Sequence, residues 1–249
     1  MAGHSKWANI KHRKGRQDAK RGKLFAKLAR AVEVAAREGG ANPEFNATLA
    51  TAVDKAKSAS MPNDSIERAI KRGSGAVEGS IYEDLFYEGY GPGGAALLVH
   101  VLTDNRNRAA SDVRSALTRH HGSLGEPGSV AYLFSQRGSI LAGGGEDEVM
   151  LIALEAGAED VRDGGEGLWE VITEAGEMRV VREALEAGGV RVESADVTQL
   201  PSSTVPVEES EAKKLLRLID ALEDLDDVQA VFSNYDIDDA VMENTLAET

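Results

Sequence analysis

Apolar positions along the chain switch between helical and strand periods, and they divide it into three regions. Leu24, Leu28, Val32 and Ala35 recur at helical spacing with Phe25 and Ala36 on the same side, until Gly39-Gly40 ends the run. Asn42-Pro43 reads as a helix opening, and Phe45, Leu49, Ala52, Val53 and Ala56 form the stripe of a second helix. A third follows Pro62, with Ile66, Ala69 and Ile70 on one face, Arg68, Lys71 and Arg72 on the other, and Gly73 past its end. Residues 1 to 22 are polar, basic and interrupted by Gly3, Gly15 and Gly22, so they are expected to be a mobile arm with no core of their own.

Beyond Ser80 the apolar run from Ala95 to Leu102 predicts a buried strand, Ala109 to His121 a helix, and Val130 to Phe134 another strand. Residues 138 to 197 repeat a strand-helix-strand unit, with Asp163-Gly164-Gly165 as the turn between copies, as a ferredoxin-like sandwich requires. A lone half follows: Thr204 to Val207, a helix carrying Leu215, Ile219, Leu222 and Leu225, and Val228 to Phe232. It matches the unpaired half at 95 to 134, so the two should share one sheet. The expected fold class is α+β with three domains. A basic arm and three-helix domain occupy 1 to 79, a discontinuous middle domain 80 to 134 plus 203 to 249, and a ferredoxin-like domain 135 to 202 is inserted into the middle one.

Charge changes the picture. The chain carries a formal net charge of −14, yet residues 1 to 75 hold 16 Lys/Arg against 7 Asp/Glu. A basic head on an acidic body points to a polyanion partner that the body repels. Arg13, Arg16, Lys20, Lys23, Lys27 and Arg30 are spaced three or four apart and, on one continuous helix, would fall within an arc of about 100°. Only Asp18 and Glu33 interrupt this positive face as far as Arg37, which favours phosphate binding over an ordinary solvated face. Trp7 lies between Lys6 and Lys11, where it either stacks on a base or packs against the helical domain. The candidate nucleic-acid contacts are Lys6, Trp7, Lys11, His12, Arg13, Lys14, Arg16, Lys20, Arg21, Lys23, Lys27, Arg30, Arg68, Lys71 and Arg72.

Other chemistry finds little support. Gly89 to Gly94 has the spacing of a dinucleotide fingerprint but precedes a strand, so a tight type II turn around Pro92-Gly93 is the better reading. Tyr90, Pro92 and Gly93 are then candidates for a partner-contact loop. With no cysteine there is no disulfide or thiolate metal site, and the histidines lack metal-binding spacing. The carboxylates at Glu146 to Glu148, Glu208-Glu209 and Asp224 to Asp227 read as solvated faces or helix-start charges. No catalytic residue, metal or cofactor is expected, and no small-molecule substrate, secretion signal or membrane partner.

Several of these stretches carry a resemblance: Met1 to Gly15 (MAGHSKWANIKHRKG), Asp18 to Phe25 (DAKRGKLF), Ala35 to Gly40 (AAREGG), Met61-Pro62 with Ile66 to Gly73 (IERAIKRG), Tyr87 to Gly94 (YEGYGPGG) and Leu102 to Arg108 (LTDNRNR). Together they resemble the YebC family of transcriptional regulators, to which the mitochondrial translational activator of cytochrome oxidase also belongs. The resemblance implies three domains, a cytoplasmic location and no catalytic activity. It implies either DNA binding in transcription or, as the alternative, rRNA binding on the ribosome that relieves stalling on difficult sequences. An enzyme built on the Gly89 to Gly94 loop is the remaining and weakest reading. Departures from the family pattern fall at Ala26, Ser60, Asn63, His121 and Ser123; Asn63 in place of lysine implies a weaker phosphate contact there.

Overall fold

The structure, a computed structural model, describes residues 18–77, 79–165, 167–238 and 241–242, with side chains from residue 22 onward. The first described region is all-helical: α1 Asp18–Gly39, α2 Ala47–Ser58 and α3 Asn63–Gly73. Leu28, Val32, Leu49, Val53 and Ile66 bury their side chains together at the junction of the three helices. Burying each such residue contributes about 1.5–3 kcal/mol relative to leaving it exposed, and those gains hold against α1 the two shorter helices, which would be marginal alone.

Two expectations need correction here. Leu24 is 41 % exposed and Phe45 86 % exposed, so neither joins the core. Helix α2 starts at Ala47, because Asn46 and not Asn42 is its cap. The Asn46 side chain is buried; its Oδ1 accepts from the Leu49 N–H at 3.0 Å, and its Nδ2 donates to the carbonyls of Ala35 and Gly40 at 2.8 Å each. One side chain thus caps the start of α2 and satisfies two carbonyls near the end of α1. Asn42 to Phe45 becomes a turn outside the helix, closed by the Phe45 N–H on the Asn42 carbonyl.

The second region is a four-stranded antiparallel sheet, ordered β3-β1-β2-β9, made of β1 Glu83–Tyr90, β2 Ala96–Thr103, β3 Ser123–Leu124 and β9 Val228–Ser233. Leu97, Val99 and Val101 alternate toward one face, where α4 (Arg106–Arg119) packs Val113 and Leu117, and α7 (Glu209–Glu223) packs Leu215, Ile219 and Leu222. Strand β9 pairs with β2 across more than a hundred residues of chain, so the two half-units share one sheet. The intervening residues fold on their own as β4 Phe134–Gly143, α5 Glu146–Glu155, β5 Asp160–Gly165, β6 Leu168–Glu174, α6 Met178–Ala187 and β7 Arg191–Pro201. Their strand order β5-β6-β4-β7 with both helices on one face is the ferredoxin-like arrangement.

The expected strand at Val130 to Phe134 is instead a short 3₁₀ turn at Ala131–Leu133, and Phe134 opens β4 of the inserted sheet. Asp163 to Gly165 lies at the end of β5. A two-residue strand β8 (Val205–Pro206) pairs in parallel with β10 (Tyr235–Asp236) beside the middle domain.

Candidate nucleic-acid interface

Of the candidate contacts, Lys6, Trp7, Lys11, His12, Arg13, Lys14 and Arg16 lie outside the described residues, as does the expected mobile arm through residue 17. Lys20 and Arg21 lie within α1, which is already helical at Asp18. Lys23, Lys27 and Arg30 follow on one side of the same helix, at spacings of four and three.

These three cations each have a partner within the chain. They lie against the acidic turn Glu223 to Asp227, which joins α7 to β9. The Lys23 ammonium donates to the Asp224 carbonyl at 3.1 Å and lies 3.7 Å from the Asp226 carboxylate. Lys27 donates to the Glu223 carbonyl. Arg30 donates to the carbonyls of Leu102 at 3.0 Å and Asp226 at 2.9 Å, and to the Asp227 carboxylate at 3.0 Å. Its guanidinium also sits over the Tyr82 ring, 5.1 Å from the centroid. Exposure falls along the row, from 56 % for the Lys23 side chain to 16 % for Arg30. Burial pushes the Lys27 ammonium below its ordinary pKa, an effect opposed by Glu223, Asp224 and Asp226 and reinforced by Lys23.

Asp227 is the fixed point of this contact. Its carboxylate is nearly buried and accepts from Thr103 Oγ1 at 2.8 Å and from the Arg108 guanidinium at 2.8 and 3.3 Å, besides Arg30. Arg108 also donates to Asp104 at 2.7 Å, and its backbone N–H is capped by the Asn105 side chain at 3.1 Å. Hydrogen bonds to Asp227 and then Asp104 raise the Arg108 pKa further, while the bond from Arg108 holds the Asp104 carboxyl below its usual range. The segment Thr103 to Arg108 therefore works as a socket: it caps α4 and presents Asp227 to Arg30.

The candidates on α3 are held locally. Arg72 Nε donates at 2.8 Å to Glu33, a buried carboxylate of α1 that also lies 3.6 Å from Arg37. Arg68 bonds to the Asp64 carbonyl and Ser65, and Lys71 lies 4.0 Å from Glu67. Arg68 and Lys71 remain exposed, whereas Arg72 ties α3 to α1.

The Gly89 to Gly94 loop has the expected turn, with the Gly94 N–H on the Gly91 carbonyl at 3.1 Å and Gly93 at φ 75°. Of the partner-contact candidates, Tyr90 and Gly93 are exposed and Pro92 is not. Pro92 is buried, and a side chain at Gly93 would meet Val207 at 2.8 Å, because this loop packs down on the middle domain. Tyr90 is 40 % exposed, but its hydroxyl donates to the Ser129 carbonyl at 3.0 Å. The role of Glu223 to Asp227 is not evident in the sequence, where Asp224 to Asp227 reads as solvated or helix-start charge. These residues follow a helix end whose last turn has no basic residue. Carboxylates at the negative end of a helix dipole are unfavourable, and that was the available signal that cations come from elsewhere. Among the described residues, no group of three or more His, Asp or Glu could hold a metal, and no helix is long and apolar enough to cross a membrane.

Comparison with known proteins bears on the whole chain. It is 56 % identical over 246 residues to a probable transcriptional regulatory protein of Acidothermus cellulolyticus, covering 97 % of this chain and 99 % of that protein. A probable transcriptional regulatory protein of Frankia casuarinae is 58 % identical over 248 residues, covering 98 % of each. Among solved structures, a conserved hypothetical protein from Aquifex aeolicus, Aq1575, superposes with a TM-score of 0.81 at 49 % identity, covering 89 % of this chain and 93 % of that one. The model of the TACO1/YebC N-terminal domain matches residues 5–76, and that of the TACO1/YebC second and third domain matches residues 82–235. The chain belongs to the TACO1/YebC family.

Proposed function

We propose that the chain is a non-enzymatic regulator of transcription in the cytoplasm that binds DNA through its basic N-terminal domain. The observation that carries this reading is the charge division. The first 75 residues hold 16 of the 28 Lys/Arg, and nine of those lie before Leu28, in a chain whose remainder is strongly acidic. The naming of its relatives as probable transcriptional regulatory proteins supports it.

Phosphate contacts position a protein and carry no base information, so this head binds polyanions first and gains sequence preference elsewhere. The test replaces Lys11, Arg13, Lys14 and Arg16 with glutamine and measures affinity against salt. Each lost contact flattens the slope of log affinity against log salt by about 0.9 on duplex DNA and about 0.7 on single strands. Four lost contacts on duplex then reduce it by about 3.6. Weak, slope-insensitive binding to duplex, together with salt-sensitive co-sedimentation with ribosomal subunits, moves the assignment to rRNA. An unchanged slope on both removes the nucleic-acid reading.

A further inference from the structure

The acidic turn and the basic ridge are each unfavourable alone. Glu223, Asp224, Asp226 and Asp227 gather at the C-terminal end of the 15-residue helix α7, where the helix dipole is already negative. Lys23, Lys27 and Arg30 crowd one side of α1. Joined, carbonyl and carboxylate oxygens of the turn occupy the cations as phosphate oxygens would.

We propose that the turn Glu223 to Asp227 is an internal stand-in for nucleic-acid phosphates, and that nucleic acid binds the ridge by displacing it from Lys23 and Lys27 while Arg30 stays on Asp227 as the pivot. This deepens the function proposed above and rests on it.

The two ends of the contact differ in a way that sets this order. Lys23 is more than half exposed, so its interaction is of the exposed kind worth about 0.2–1 kcal/mol and is screened by salt, while the half-buried Lys27 bonds to a single main-chain oxygen of the turn. Arg30 instead engages three oxygens, two main-chain carbonyls and one oxygen of a carboxylate that Thr103 and Arg108 also hold. Removing one partner of such a desolvated cluster strands the others, so it resists exchange. The labile end of the ridge is also the end that the sequence joins to Arg16, Lys14, Arg13 and Lys11. Phosphates bound to that segment are tethered beside Lys23 at high effective concentration, and they compete with the turn there first.

The experiment uses the whole chain. Because it has no cysteine, Leu24→Cys and Ser210→Cys give one pair of spin labels on exposed sites of α1 and α7. A duplex DNA oligonucleotide should lengthen or broaden the label distance in the otherwise wild-type protein. Neutralising the turn with Glu223→Gln/Asp224→Asn/Asp226→Asn should do the same without DNA and raise affinity about tenfold at low salt, as removal of a competing closed state does. The control Glu208→Gln/Glu209→Gln/Glu211→Gln removes equal charge from the other end of α7, and its affinity should change by less than about twofold, since screening cuts longer-range effects. If the turn variant does not fold, Lys23→Gln/Lys27→Gln opens the same contact from the α1 side and should broaden the distance without DNA. Wild-type binding with an unmoved label distance, or equal gains in turn variant and control, overturns the proposal and leaves the nucleic-acid reading standing. Absence of binding to DNA and RNA by every variant removes both.

Discussion

Glu88 shows how one side chain fixes a loop. Its Oε1 accepts from the Gly128 N–H at 2.6 Å, and its Oε2 accepts from those of Val130 and Ala131 at 2.6 and 2.8 Å. Burial pushes its pKa up, but the backbone donors of Gly128, Val130, Ala131 and Ser129 outweigh that and hold it below the ordinary 4.5. A carboxyl depressed on folding stabilises fully above its unfolded pKa and loses that contribution as pH falls through the folded value. Glu88→Gln keeps one acceptor oxygen and turns an amide donor toward backbone donors, at a cost of about 1–3 kcal/mol. Denaturant unfolding at neutral pH should show that loss, and the gap to wild type should narrow below about pH 4. A gap as wide in acid as at neutral pH would count against the charge as the cause. Nothing in the spacing of Glu88 marks this role, because its partners lie about forty residues away in a loop with no apolar period.

Among the elements, the contact of α1 with α3 depends on small residues as much as on the apolar stripe. A methyl group at Gly73 would land on the Glu33 carbonyl oxygen and meet the Ala36 side chain at 2.8 Å. Glu33, beside it, is 2 % exposed and pairs with Arg72 across the same contact. Gly73→Ala should therefore force the helices apart and cost about 1–3 kcal/mol, the usual range for overpacking. A thermal melt of the variant that matches wild type would mean the helices part freely. The three helices were legible because their core lies on a 3.6-residue stripe, and Leu28, Val32, Leu49, Val53 and Ile66 are all buried. Leu24 and Phe45 satisfy the same period but lie where no second helix covers them, and periodicity cannot show that. Strand β1 was not legible: Glu83, Asp84 and Glu88 interrupt its apolar pattern, and it is a strand because β2 pairs along its whole length. The basic ridge was legible as a row of charges, but its partner in the native chain was not. That partner lies about two hundred residues away and comes close only through the fold.

At the scale of the whole molecule, each hydrophobic cluster draws its residues from one domain, and charge connects the domains. The helical domain meets the middle one through Lys23, Lys27 and Arg30, and the inserted one through Lys55–Asp196 at 2.9 Å and Arg182–Asp54 at 3.9 Å. A head of one sign on a body of the other is drawn to it as a whole, beyond any single pair. The partly exposed pairs among these contacts weaken as salt rises, since the screening length drops from about 10 Å at 0.1 M to between 4 and 5 Å near 0.5 M. The apolar cores do not depend on that length. Raising salt from about 0.1 M to about 0.5 M should therefore increase the radius of gyration seen by small-angle scattering, while slowly exchanging amides in the three cores keep their protection. Lys55→Glu places two carboxylates together at the inserted domain and should produce part of the same expansion at low salt. A radius that stays constant across this range in both proteins would show that apolar packing, and not charge, sets how the domains are seated. A loss of amide protection alongside expansion would show instead that the seats are part of the cores' own stability.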